Sequence, residues 1–147
     1  MSPNLSNAGR ERGHRAIPHT ADVILEAWGG DLAACLEEAF AALVEVYAEV
    51  GSMTEADRRR LHLDNNTNDT ALLHLLDELI FLLDTSVTVP VRAEVKPSDR
   101  EGLDVEIVLV ERSSVEAVGS VPKAVSHSEL LVESSPGMVR CRFLVDV

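Results

Sequence analysis

Two places in the chain combine residue types that can do chemistry. His19-Thr20-Ala21-Asp22 sets an imidazole and a carboxylate three residues apart, immediately before an apolar run that begins at Val23. Such a pair can hold a metal ion or orient a reactive group. Equally, His19 can bond its neighbours and Asp22 can end a turn. The other place is the carboxyl end, where Asp146 is penultimate and Val147 carries the terminal carboxylate. Held by an ordered strand, two successive carboxylates form an oxygen-donor group suited to a hard cation such as calcium or magnesium; on a frayed end they do nothing. The run Arg58-Arg59-Arg60 reads as the solvated start of a strand. Cys35 and Cys141 are far apart and not in a CxxC spacing, so neither a zinc site nor a redox pair is indicated. Both read as small core hydrophobes.

The elements that must position these groups follow from periodicity. Val23 to Trp28 is a short β-rich run, with Ile17 in a possible partner strand. Gly29-Gly30 breaks the chain and Asp31 is a good helix N-cap. Leu32, Leu36, Ala39, Phe40, Leu43 and Tyr47 then recur at three- and four-residue spacing, one face of an amphipathic helix that Gly51 would stop. Leu61 and Leu63 suggest a short strand after the arginines. Asn65 to Asn68 is turn and cap chemistry, and Asp69 suits the first turn of a second helix. Leu72, Leu73, Leu76, Leu79, Ile80 and Leu83 form that helix's stripe, which as the most apolar element is expected near the core centre. Val87 to Val95 alternates as a strand, with Pro90 favouring an edge or a bulge. Leu103 to Leu109, Ala124 to Val132, and Val139 to Val145 complete the strands. Ser134-Ser135-Pro136-Gly137 forms a hairpin turn before the last. The expected architecture is α+β, one domain with a largely antiparallel sheet and two helices on one face. Residues 1–14 read as a loose tail and 15–147 as the domain.

Composition narrows the function. At 147 residues with 46% apolar and 26% charged residues, one sizeable core is possible. Aromatics are only 3%, so Val, Leu, Ile and Ala must fill it. No apolar run approaches the ~20 residues a membrane helix needs, and the first residues lack the apolar core of a signal peptide, so a cytoplasmic protein is expected. A net charge of −12 argues against direct binding of a nucleic-acid backbone, whose affinity comes from neutralising phosphates. It is compatible with a basic protein partner or a bound cation.

Several of these stretches, in order, resemble the archease family. Ile17-Pro18-His19-Thr20-Ala21-Asp22-Val23 followed by Ala27-Trp28-Gly29 looks like its amino-terminal HTAD signature. Leu36-Glu37-Glu38-Ala39-Phe40 resembles its first helix, and Leu76 to Thr85 its second. Lys123-Ala124-Val125-Ser126 is similar to its late KAxT stretch, and the chain closes on Asp146-Val147 as archeases close on Asp and an aliphatic residue. The likeness spans about residues 16 to 147. It departs at Pro18, where an acidic residue is common, and at His127 and Ser128, where the family commonly has Tyr and His.

The resemblance implies a protein cofactor, not an enzyme, that activates an RtcB-class RNA ligase in tRNA splicing or RNA repair. That ligase joins RNA ends through a covalent guanylate, and archease speeds guanylate loading and repeated turnover. The resemblance also implies a divalent cation, calcium before magnesium or manganese, held by Asp22, Asp146 and the terminal carboxylate of Val147. His19 would stand beside these ligands or face the partner. Lys123 is either an exposed strand-start lysine or a partner contact. Two other readings compete. A stand-alone metal-dependent hydrolase would use Asp22 and Asp146 for the metal and His19 as general base, although no nucleophile elbow, HExxH or phosphate loop is present. A chaperone-like module would use the acidic surface alone and make both aspartates dispensable.

Overall fold

The computed structural model describes residues 11–19, 22–49, 51, 54–64 and 67–147. Strand β1 (Gly13–His19) pairs antiparallel with β2 (Asp22–Gly29). Gly13 and His14, expected in the tail, are thus the first residues of a strand; residues 1–10 of that expected tail lie outside the described residues.

Helix α1 (Leu32–Tyr47) starts where Asp31 accepts a hydrogen bond from the Ala34 amide at 2.8 Å, as its type predicts. It ends at Tyr47, before Gly51, because Ala48 turns extended and begins the two-residue strand β3 (Ala48–Glu49). The next strand, β4 (Glu55–Leu63), absorbs the three arginines into its interior instead of following them. Helix α2 (Asn68–Thr85) is capped by Thr67, whose hydroxyl accepts from the Thr70 amide at 3.0 Å; Asn65 and Asn66 lie outside the described residues. Asp69 does more than suit the helix dipole: its carboxylate accepts from the Val132 amide at 3.0 Å.

Strands β5 (Thr88–Pro97) and β6 (Leu103–Glu111) complete a three-stranded sheet in the order β4-β6-β5. Pro90 lies on an edge strand and its register shifts between Pro90 and Arg92, so both devices expected of that proline occur. Gly102 closes the β5–β6 turn at φ +88°, where a side chain would collide with the Leu63 carbonyl. After a short 3-10 turn (Arg112–Ser114), β7 (Glu116–Ala117) pairs with β3. The single strand expected over Ala124 to Val132 is two short ones, β8 (Ala124–Val125) and β9 (Leu131–Ser135), and both pair with the last strand, β10 (Met138–Asp146). The polar stretch His127 to Glu129 turns away from the ladder between them.

Among the described residues all strand pairs are antiparallel, and the fold is a single α+β domain. The strands form two large sheets and one small one. Helix α1 joins the large sheets: it packs on β1, β2 and β10 of the five-stranded sheet and on β5 of the other. Two hydrogen bonds pin it to β5, from the Tyr47 hydroxyl to the Pro90 carbonyl at 2.6 Å and from the Val95 amide to Glu37 at 2.8 Å. So α1, not the expected α2, is the central element. Phe40, Leu36 and Leu43 on α1 meet Phe143 and Leu25 from the sheet, and all are essentially without solvent exposure. With few aromatics, the rest of the core is Leu, Ile, Val and Ala, as the composition required.

Candidate metal centre

Alternation along β10 buries Val139, Cys141, Phe143 and Val145 against α1 and turns Arg140, Arg142, Leu144 and Asp146 to the opposite face. Strand β2 does the same: Leu25 and Ala27 face the helix, while Asp22, Ile24, Glu26 and Trp28 face outward. The two strands pair in a register that puts Asp146 directly opposite Asp22. Directly opposite residues have Cβ atoms about 4.5–5.5 Å apart and project to the same side. A one-residue slip would bury these carboxylates and expose Val145 and Val23, so the core fixes the register that brings the two acids together.

The same rung extends in both directions. His19 on β1 is the register partner of Asp22; its side chain, like Thr20 and Ala21, lies outside the described residues. On the far side, Ala124 of β8 is opposite Asp146, and the Lys123 amide donates to the Asp146 carbonyl at 2.8 Å. The Ser126 amide donates to the Leu144 carbonyl at 2.9 Å, so the whole Lys123–Ser126 stretch is strapped along the end of β10. The end of β10 is therefore ordered and not frayed. Lys123 itself is exposed. Val147 follows at once; it is half-buried, and it helps line a cavity of about 410 Å³ with Ala16, Val23, Leu25, Ala42 and Val46. His14 and Glu45 also line that cavity.

The chemistry of the rung is that of oxygen donors. Two like charges directly opposite on a sheet repel. Among the described residues neither Asp22 nor Asp146 makes a salt bridge that would relieve the repulsion. A hard divalent cation would, and carboxylates are the donors it prefers. No three His, Cys, Asp or Glu side chains gather as a metal cluster among the described residues. The aspartate pair alone therefore needs further oxygens, for which the carboxylate of Val147 and water are the candidates. The residues present fit a hard cation and not a soft one.

The hairpin that carries Asp22 is pinned to α1 from below. His14 bonds Glu38 at 2.7 Å and Glu45 at 2.8 Å, and Arg12 bonds Glu37 at 3.0 Å. Burial lowers the affinity of the His14 imidazole for its proton, but the hydrogen bonds to the two glutamates outweigh it and hold the group above its ordinary value.

Residues 14–147 match the model of the Archease protein family (MTH1598/TM1083). The chain belongs to the archease family. A probable protein archease of Mycobacterium tuberculosis (strain CDC 1551 / Oshkosh) is 35% identical over 139 residues, covering 95% of this chain and 77% of the relative. Two solved structures share the fold. The solution structure of Methanobacterium thermoautotrophicum protein 1598 superposes with a TM-score of 0.72 at 24% identity, covering 92% of this chain and 99% of that one. The crystal structure of a Thermotoga maritima archease, described as a possible chaperone, superposes with a TM-score of 0.65 at 23% identity, covering 90% and 96%. The archease resemblance of the HTAD, KAxS and terminal segments is thus matched over residues 14–147. What the segments could not show is that His19, Asp22, Asp146 and Ala124 stand on one rung of one sheet.

Proposed function

We propose that this archease chain is a cytoplasmic, cation-binding protein cofactor that activates an RtcB-class RNA ligase. The observation that supports the reading most is the pairing of Asp22 with Asp146 at an ordered sheet end, two carboxylates with no cationic side chain among the described residues to balance them. Asp22, Asp146 and the terminal carboxylate of Val147 would hold the cation, with calcium the first candidate. A bound divalent cation supplies concentrated positive charge that offsets developing negative charge on phosphate oxygens. The chain's own residues do the rest. The β2–β10 register holds the two aspartates side by side, the Lys123–Ser126 strap keeps the end of β10 in place, and the exposed Lys123 offers the partner a positive group at the edge of an acidic site. His19 is on the next strand of the same rung, and the archease resemblance would have it face the partner or support the ligands.

The test is guanylate loading of the host's RNA ligase with labelled GTP and excess divalent cation, with and without this protein. Acceleration that Asp22→Ala and Asp146→Ala each remove is the expected result. Normal loading without the protein would refute the ligase role. Phosphoester hydrolysis by the purified protein that Asp22→Asn abolishes would instead establish the hydrolase reading. Client protection that survives both substitutions would favour a chaperone-like module.

A further inference from the structure

The two cysteines lie far from the carboxylate rung, on the opposite side of the five-stranded sheet, and both are buried, Cys35 at 0% and Cys141 at 1% exposure. Their separation in sequence gave no reason to pair them, yet the fold does. Gly29 ends β2 where α1 begins, and a Cβ there would stand 2.7 Å from the Ala34 Cβ and 2.8 Å from the Cys35 amide nitrogen. The missing side chain lets the first turn of α1 settle directly on the sheet. Two residues earlier, Ala27 faces the same way and is the register partner of Cys141. The Cys35 thiol donates to the Ala27 carbonyl at 3.7 Å. Ala27 is thus the common neighbour of the two cysteines: its carbonyl receives the Cys35 thiol, and it stands directly opposite Cys141, whose buried side chain lies on the same, helix-facing side of the sheet. The neighbouring Cys35 thiol, with burial, pushes the Cys141 thiol above its ordinary value.

We propose that Cys35 and Cys141 are a buried dithiol that closes to an intramolecular disulfide, tying the first turn of α1 to β10, when the protein meets a thiol oxidant of the peroxide class. In the first step one sulfur, as thiolate, attacks a peroxide oxygen; the O–O bond breaks, a sulfenic acid forms and the leaving oxygen departs as water. In the second, the neighbouring sulfur attacks the sulfenic sulfur; the S–S bond forms, the S–O bond breaks and a second water leaves. The two thiols together lose two protons and two electrons, and hydrogen peroxide is reduced to two waters. Buried thiols held in the protonated form react slowly, so closure follows local opening of the start of α1 and is slow relative to that of an exposed thiol. Because β10 runs on from Cys141 to Asp146, the bond anchors the strand that carries one of the paired carboxylates. The proposal does not depend on what those carboxylates bind.

The test is to incubate the full chain with excess hydrogen peroxide, alkylate it in denaturant, and measure the intact mass. The expected product is a monomer about 2 Da lighter than the reduced chain, with no alkylated thiol. Digestion yields one cross-linked pair of peptides containing Cys35 and Cys141. The oxidised protein melts several degrees higher than the reduced one, and dithiothreitol reverses the shift, because the bond restrains the unfolded chain over a long loop. Cys35→Ala and Cys141→Ala each leave one alkylatable thiol and no peroxide-dependent rise in melting temperature. The mass measurement on the unaltered chain stands even where a variant folds poorly. Two alkylatable thiols after prolonged treatment, a disulfide found only between chains, or oxidation that stops at a sulfinic acid on one sulfur would each overturn the proposal.

Discussion

The outward faces of the two large sheets carry charge in opposite arrangements. On the three-stranded sheet the charges answer one another. Arg58 bonds Glu55 at 2.7 Å, Glu94 at 3.1 Å and Glu106 at 2.6 Å, and Arg92 reaches Glu94 at 3.3 Å. His62 bonds Asp104 at 2.8 Å, and that hydrogen bond holds the Asp104 carboxyl below its usual value. On the five-stranded sheet, Arg15 pairs with Glu26, but the rung at its end leaves Asp22 and Asp146 facing each other with no basic partner among the described residues. Both faces are ladders of alternating strands, so sheet geometry does not cause the difference. The first face satisfies its charges within the chain. The second leaves a local excess of negative charge that something outside the chain can complete. An overall charge of −12 therefore says little by itself; what matters is which carboxylates are left over.

The sharpest way to break this comparison is to remove the unbalanced pair. Asp22→Ala or Asp146→Ala is expected to lower ligase activation at least about tenfold, corresponding to about 1.4 kcal/mol of transition-state stabilisation. Without added cation, the melting temperature should stay level or rise slightly as the repulsion disappears. Calcium should raise the melting temperature of the unaltered protein, chelation should reverse it, and both variants should lose the effect. Residues added after Val147 should weaken the calcium response. Glu106→Gln on the other sheet should leave activation unchanged. If Glu106→Gln and Asp146→Ala behave alike in guanylate loading, the contrast between the faces carries no function.

Next in size is Gly29→Ala, which probes how closely α1 must approach the five-stranded sheet. Its new methyl meets the Ala34 Cβ and the Cys35 backbone, so a loss of about 2 kcal/mol in denaturant unfolding is expected. A neutral result would mean that α1 can lift from the sheet without cost.

A smaller effect concerns the pinning of the β1–β2 hairpin. The folded state raises the His14 proton affinity, so His14 contributes stability that is fully present below its unfolded value, near pH 6.5, and is lost as pH rises through the folded value. The group is partly exposed, so about 1 kcal/mol is the expected span. His14→Gln should flatten that part of the stability–pH curve. Urea unfolding from pH 6 to pH 9 would check it, and an identical slope in the variant would rule out the assignment.

The smallest effect is expected from Arg58→Ala. Its pairs are exposed, and exposed ion pairs contribute little because water and salt screen them. A slight fall in melting temperature at low ionic strength, vanishing in about 1 M salt, would be consistent with a face whose charges only satisfy one another.

Much of this fold was legible in the sequence, and the misses share a physical origin. Asp31 as N-cap, the apolar stripe of α1, the alternation of β10 and the double role of Pro90 all follow from interactions within a few residues. The misreadings arose where tertiary pairing overrode local pattern. Ala124 to Val132 has strand-like residues throughout, but β10 offers partners only to its two ends. Helix α2 has the denser leucine stripe, yet α1 became the centre because both of its sides found a sheet.

The candidate site divides along the same line. The sequence by itself determined the residue types: a carboxylate before the β2 run, a carboxylate at the end of an alternating strand, and Asp146 on the outward face of β10 once Val145 was assigned inward. It also set the net charge and the absence of an apolar run long enough to cross a membrane as a helix. Only the tertiary structure decided that Asp22 stands opposite Asp146, that the Lys123 backbone is bonded to Asp146, and that Cys35 and Cys141 share Ala27 as a neighbour. Periodicity reports which face of an element is buried, because that depends on neighbours two to four residues away. Which distant strand lies opposite, and in which register, is settled only when the core closes and every side chain competes at once for the same space.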